Sequence, residues 1–206
     1  MRKFETLEAV AAPLGMANVD TDQIIPARFL WRARADGFGT HLFNDLRTMP
    51  DGTPRAGFIL DEPAFAAARI LVAERNFGCG SSREHAVWAL ADAGLHVIIA
   101  PSFGDIFFNN SFKNGVLPIV LPEARCTELR AALARNPGAK LVVDLERQEI
   151  SGPLGVNDGF AIDAFDVDPF RKELLLAGQD DIAFTLGQQA AIEDFEASYA
   201  NSMPWL

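Results

Sequence analysis

Three consecutive residues, Ser81, Ser82 and Arg83, carry side chains suited to handling a carboxylic acid. A guanidinium grips a carboxylate through two parallel N–H bonds. A hydroxyl can take and return a proton when neighbouring amides and cations stabilise its alkoxide. The three follow Gly78-Cys79-Gly80, in the run "NFGCGSSREHA". A second stretch, "NVDTDQIIP" from Asn18 to Pro26, sets two carboxylates and a threonine before an apolar pair and a proline. The run at 78–83 is neither a Walker loop nor a G-x-S-x-G elbow.

A plainer reading competes. Ser81-Ser82-Arg83-Glu84 spells S-x-x-E, a capping box that would only satisfy the first amides of a helix. Both readings place a helix N-terminus here, and its unpaired N–H groups attract carboxylates or phosphates.

The surrounding pattern supplies the elements. "ILVAE", "HVIIA" and "VLPIVL" read as strands. Between them lie the helical stretches "SSREHAVWALADAG" and "FGDIFFNNSFKNG", stopped by Gly94 and Gly115. This rhythm predicts βαβ units and an at least partly parallel sheet. It puts the glycine-serine turn at the carboxyl end of a parallel strand, where open α/β sheets bind ligands. Further on, "CTELRAALARNPG" predicts a helix and "KLVVDLERQEIS" a β-hairpin. "DVDPFRKELLLAG" predicts a helix with Asp168 as N-cap, Pro169 at the first position and Gly178 as terminator. "DDIAFTLGQQAAIEDFEASYA" reads as one last helix. Residues 27–69 mix arginine, aromatics, Gly and Pro, with "PDGTP" as a turn, and their early part, Phe29, Leu30 and Trp31 beside Arg28, Arg32 and Arg34, reads as a long surface segment. Residues 1–206 read as a single domain with a helical C-terminal extension.

Composition excludes several functions. The net charge of -10 argues against nucleic acid as partner, because phosphate binding needs a basic face. Cys79 and Cys126 are too few for a disulfide framework, a structural zinc site or an iron–sulfur cluster. His41, His85 and His96 show no metal-ligand spacing, so no metal site is expected. No run approaches the ~18 apolar residues of a membrane span. "MRKFETLEAVAAP" turns acidic before any long apolar stretch, which is unlike a signal peptide. A reduced, cytoplasmic protein is expected. Cys79, beside a helix N-terminus, is a candidate for a lowered thiol pKa, against a simpler role as a small turn residue. His85 is expected to pack on its helix.

The stretch "GCGSSREHAVWALADAGLHVIIAPSFGDIFFNNSFKNGVLPI" resembles the swivelling domain of the aconitase superfamily, and "NVDTDQIIP" is similar to that domain's second signature. The short chain standing alone resembles the family of 3-isopropylmalate dehydratase small subunits, from about residue 5 to about residue 195. The resemblance implies an α/β fold: a three-layer swivelling β/β/α domain with a partly parallel sheet, plus C-terminal helices. It implies half of a hydro-lyase site. A large partner subunit would hold a [4Fe–4S] cluster acting as a Lewis acid, and this chain would hold no cofactor. By position in the motif, Ser81 would be the general base, Ser82 and Arg83 would hold a substrate carboxylate, and Asp22 would orient active-site groups. The residues after "IIP", Phe29, Leu30, Trp31 and Arg32, would read the substrate's distinguishing group. Their apolar character suits an isopropyl group, although Phe29 and Leu30 also suit a core and Arg34 suits solvent. The implied reaction interconverts 2-isopropylmalate and 3-isopropylmalate through 2-isopropylmaleate, in leucine biosynthesis. The alternative is the small subunit of another hydroxy-acid dehydratase, a homoaconitase or a methylmalate/citraconate hydratase.

Overall fold

The computed structural model describes residues 3–4, 6–152 and 160–203. Four strands run parallel: β1 (Leu7–Pro13), β2 (Ile70–Val72), β3 (Val97–Ala100) and β4 (Leu117–Val120). Three antiparallel strands, β5 (Lys140–Asp144), β6 (Glu149–Gly152) and β7 (Phe160–Ala164), continue the sheet beyond β1, in the order β4-β3-β2-β1-β5-β6-β7. The helices are α1 (Thr21–Ile24), α2 (Asn44–Arg47), α3 (Glu84–Asp92), α4 (Asp105–Lys113), α5 (Glu123–Arg135), α6 (Pro169–Ala177), α7 (Asp181–Gly187) and α8 (Gln189–Ser202).

Side-chain alternation explains why the parallel strands lie between two cores. Ile70, Val72, Val97, Ile99, Leu117 and Ile119 point to one face, where they meet Leu129 and Leu133 of α5 and Leu141, Val143 and Ile150 of the β5–β6 hairpin. Leu71, Ile98 and Ala100 point to the other, where they meet Val87 and Leu90 of α3. Strands buried on both faces carry near-continuous apolar runs, as these do.

The second core also holds Phe38, Leu42, Phe43, Phe58 and Phe65. The early part of residues 27–69, from Ala27 to Arg34, is exposed or half-buried, as a surface segment should be, whereas the part after it turns inward. The backbone throughout is irregular, built from single 3-10 turns and the four-residue α2, but the aromatic side chains of the later part seal one face of the sheet.

Other expectations are adjusted in detail. Strand β1, an alanine-rich segment without period, forms because it is the shared strand: Ala11 pairs with Ile70 of β2 and Leu7 with Val143 of β5. Helix α5 starts at Glu123, three residues before Cys126, because Pro122 stands at its N-cap. The single last helix is two, divided after Gly187. The expected cap of α6 is present: the Asp168 side chain accepts from the Arg171 N–H, and Gly178 closes the helix in the left-handed region at φ +70°. No helix among the described residues is long and apolar enough to cross a membrane.

The carboxyl ends of β1, β2 and β3 face the same edge of the sheet. The chain leaving each is stitched to the next by isolated parallel bridges, Asp20 to Cys79 and Phe77 to Phe103. Both sequence motifs lie on this edge.

Candidate active site

The turn after β2 is held by backbone contacts. The Gly78 N–H donates to Val19 O at 2.7 Å, and the Thr21 N–H donates to Cys79 O at 2.9 Å. Gly78 sits at φ +72°, and a Cβ there would stand 2.2 Å from the Phe107 ring. Glycine is required on both counts. Gly80, at φ +97°, completes the reversal that lifts Ser81 to the surface.

Ser81 is not a helix cap. Helix α3 begins at Glu84 with Arg83 in the N-cap position, and no side chain caps it. The Glu84 carboxylate, which a capping box would turn back, instead accepts from Asn114 Nδ2 at 2.8 Å. Ser81 is engaged by the other motif. The buried Thr21 hydroxyl accepts from the Ser81 N–H at 3.2 Å, donates to Ser81 O at 3.2 Å and lies 3.4 Å from Ser81 Oγ. A capping box does occur, at α1. The Asp20 side chain accepts from the Gln23 N–H at 2.7 Å, and Gln23 Oε1 accepts from the Asp20 N–H at 2.9 Å. It fixes Thr21 and Asp22 in the first turn. Thr21 had a sequence signal only in its place beside Asp22.

Asp22 and Arg83 form an ion pair across the two motifs, with Arg83 Nη1 donating to Asp22 Oδ1. A guanidinium has five N–H donors, so one bond to Asp22 leaves others for a ligand. Asp22, Ser81 and Arg83 thus come together on one open edge, with Ser82 exposed between the last two.

The loop residues have a different setting. Phe29 is half-buried and stacks on His41 with ring centroids 4.1 Å apart. Leu30 is half-buried against the second core. Arg32 is half-buried, and its shielded Nε has no hydrogen-bond partner among the described residues. Trp31 is 80% exposed. The segment is pinned at both ends. Arg28 pairs with Asp45 and donates to Asn44 Oδ1 at 2.8 Å, while Arg34 makes a two-pronged bond to Asp92 at 2.7 and 2.8 Å. Arg34 is solvent-exposed, as expected, and at the same time an anchor on α3.

The remaining polar candidates are structural. His85 lies edge-on to Phe38 at 5.3 Å and 4.6 Å from the Trp88 ring. Burial lowers its pKa, against an opposing pull from Glu84 and with a smaller push from Arg83. Burial and the nearby Arg32 and Arg28 lower that of His41. The Cys79 thiol is shifted up, by burial and by Asp20, the opposite of an activated thiol. Asn109 Oδ1 accepts from Arg171 Nη2 at 2.6 Å.

Comparison with known proteins places this site in a family. Residues 1–124, which include both motifs, match the model described as the aconitase C-terminal domain. Residues 127–169 match that described as LeuD_N, and residues 181–206 match the C-terminal domain of 3-isopropylmalate dehydratase small subunits. A 3-isopropylmalate dehydratase small subunit from Paramagnetospirillum magneticum is 53% identical over 206 residues, covering all of both chains. One from Rhodospirillum rubrum is 52% identical, covering all of this chain and 97% of the other. The chain belongs to the 3-isopropylmalate dehydratase small-subunit family. The crystal structure of a 3-isopropylmalate dehydratase from Methanocaldococcus jannaschii superposes with a TM-score of 0.65 at 25% identity, over 93% of this chain and 99% of that one. The α/β fold with its partly parallel sheet is that of the family.

Family membership brings an iron–sulfur cluster into consideration, and the residues here do not fit one. Cys79 is half-buried in the glycine turn. Cys126 is fully buried in α5, its Sγ 3.7 Å from Leu121 O, with its pKa pushed up to about 11 by burial. Among the described residues no three His, Cys, Asp or Glu side chains are grouped to hold a metal ion. A hollow of about 530 Å³ lies elsewhere, lined by Leu42, Arg47, Arg55, Phe58 and Asp61, and by none of the motif residues.

Proposed function

We propose that this chain is the small subunit of a two-chain hydro-lyase that interconverts 2-isopropylmalate and 3-isopropylmalate through 2-isopropylmaleate, in the cytoplasm and within leucine biosynthesis. Residues 1–206 act as one swivelling domain with a helical extension. The [4Fe–4S] cluster belongs to the large subunit, and none of this chain's residues ligates it. The observation that carries the reading is the joining of the two motifs: Ser81 exposed on the sheet edge, clasped by Thr21, beside an Arg83 held by Asp22.

The chemistry of these residues divides as follows. Ser81 Oγ, as its alkoxide, takes the proton from the substrate carbon and later returns it, and the hydroxide leaving the neighbouring carbon would be received at the large subunit's cluster. The alkoxide needs donors, and the Thr21 O–H, 3.4 Å away, can turn from Ser81 O to Ser81 Oγ. Arg83, with Ser82 beside it, binds a substrate carboxylate, and Asp22 sets the plane of the guanidinium. Phe29, Leu30, Trp31 and Arg32 border the substrate's isopropyl group. Ser81 and Ser82 stand open to solvent, so a partner surface must cover them before a proton can move between carbon and oxygen without competition from water.

Reconstitution tests the reading. The purified chain should show no turnover of 3-isopropylmalate. Adding the purified, cluster-loaded large subunit should produce the ultraviolet absorbance of 2-isopropylmaleate. Turnover by the chain alone, with no iron–sulfur protein present, would overturn it, as would an inactive reconstituted pair.

A further inference from the structure

Helices α7 and α8 bury almost nothing against the other described residues. Of α7, only Phe184 is half-buried, its ring edge-on to Phe170 at 4.9 Å. Every described side chain of α8 is exposed. Isolated helices of about 14 residues are marginal in water, and helices in proteins gain most of their stability by packing an apolar face. Both helices have such a face. Ile182 and Leu186 are one turn apart on α7, 72% and 64% exposed. On α8, Ile192, Phe195 and Tyr199 follow the i, i+3, i+7 spacing of a single stripe, with the last two rings stacked at 5.7 Å.

We infer that the apolar face of α7 and α8 is a docking surface for the large subunit, which meets it with an apolar groove flanked by lysine or arginine. Charge decides between the large subunit and a second copy. From residue 173 to the end the chain has six acids, Glu173, Asp180, Asp181, Glu193, Asp194 and Glu196, and no Lys, Arg or His. Two copies would bring like charges together on chains already at -10 each. A basic-rimmed partner turns the same charge into attraction.

Position supports the same occupant. Asp181 of α7 pairs with Lys113 at the end of α4, 3.2 Å away. The other end of α4 adjoins Gly104, whose N–H donates to Phe77 O in the active-site turn at 2.9 Å. A nine-residue helix is about 13 Å long. The docking face thus begins about one short helix from the Phe77 end of the active-site turn, within reach of a partner that covers the site. Residues 1–124 match the model described as the aconitase C-terminal domain, whereas 181–206 match the one described as the C-terminal domain of 3-isopropylmalate dehydratase small subunits.

The inference rests on the two-subunit reading above, and one titration separates the two. The full-length chain is titrated with the purified large subunit by calorimetry, and turnover is read at saturation. The double variant Ile192→Ser with Phe195→Ser should raise Kd at least tenfold while kcat at saturation stays within twofold of wild type. The double variant Glu193→Lys with Glu196→Lys keeps the apolar stripe. It should also raise Kd and should flatten its dependence on salt. Wild-type Kd values in both variants would overturn the docking face. So would a dimer of the chain alone that the serine variant dissolves, which would make a second copy the occupant. Turnover of the wild-type pair tests the functional reading, and the ratio of variant to wild-type Kd tests the docking face, so the two fail separately.

Discussion

Thr21 Oγ1 holds Ser81 at three atoms, accepting from its N–H, donating to its carbonyl oxygen and lying 3.4 Å from its hydroxyl. The two residues are sixty positions apart, Thr21 opening the short helix α1 after β1 and Ser81 lying in the turn after β2. Thr21 is 1% exposed, so its hydroxyl is fixed where a long surface side chain would not be. Replacing it by valine keeps the shape and removes all three contacts. A hydrogen bond to a charged group contributes about 1.5–3 kcal/mol, so Thr21→Val should lower kcat of the reconstituted enzyme about 10- to 100-fold. KM should change little, because Thr21 makes no contact with the proposed carboxylate grip. Thr21→Ser should restore most of the rate. An equal loss in Thr21→Ser would show that the methyl group's packing matters and not the hydroxyl.

Ser81→Ala should reduce turnover by at least ~100-fold, the usual loss for a positioned acid or base. Stability should stay within about 0.5 kcal/mol, because no cap bond is lost at an exposed residue. Had Ser81 capped α3, about 1 kcal/mol would be lost instead. Urea unfolding and turnover, measured on the same variant, therefore discriminate the two roles. Arg83→Lys should act on KM more than on kcat, since a point charge replaces a planar two-pronged donor.

The parallel half of the fold was legible because its signals are local. Short β-branched runs alternate with helices that end at glycine or asparagine. Strand β1 was not legible, since "LEAVAAP" has neither period nor β-branched bulk, and only its place between β2 and β5 makes it a strand. The aromatic seal formed by Phe38, Phe43, Phe58 and Phe65 was not legible for a related reason. An irregular backbone leaves no period by which to tell Phe38, which is buried, from Trp31, which is exposed. At the site, the motifs located Ser81, Arg83 and Asp22. The S-x-x-E pattern suggested a cap that the chain does not make, because Glu84 is drawn to Asn114 and Ser81 to Thr21. Competition between two such partners depends on contacts thirty and sixty residues away.

Gly78→Ala should be among the most damaging substitutions near the site. It adds a methyl 2.2 Å from a Phe107 ring carbon and forces φ +72° on a residue with a Cβ. Overpacking costs about 1–3 kcal/mol and an incompatible φ about 1 kcal/mol more. At about 2–4 °C per kcal/mol for a chain of this size, Tm should fall by roughly 4–16 °C. Gly94→Ala is the control. It has φ +88° but nothing within 4 Å of the new Cβ, so only the backbone strain remains. Equal losses in calorimetry would remove the clash from the explanation.

The histidines give a pH dependence with a defined sign. His41 and His85 both have pKa values lowered from 6.5, chiefly by burial. The unfolded chain binds their protons more readily than the folded one. Their neutral forms therefore favour folding above about pH 6.5, and this stability is lost as pH falls below that value. The urea midpoint should drop between pH 7 and pH 5.5, and the drop should shrink in the double variant His41→Gln with His85→Gln. Asp45, held low by its bond to Arg28, titrates well below this window. An identical pH profile in the double variant would assign the dependence to other groups.

Trp31 and Leu30 are neighbours with opposite burial, and this difference sets the last prediction. Trp31 is 80% exposed at the tip of a segment pinned by Arg28 and Arg34, so it can meet substrate or partner without rearranging the core. Leu30 leans on the second core. If this segment borders the isopropyl group, each methyl contact discriminates by ~1–3 kcal/mol. An arginine in its place would offer a two-pronged grip to a carboxylate. Trp31→Arg should therefore lower kcat/KM for 3-isopropylmalate relative to an analogue with a carboxylate in place of the isopropyl group, with stability unchanged. Leu30→Arg should shift the ratio the same way and also lower the urea midpoint, because it withdraws an apolar contact from the core. The measurement is the ratio of kcat/KM for the two substrates in the reconstituted pair. An unchanged ratio in both variants would assign substrate choice to the large subunit and leave Trp31 as part of the covered surface.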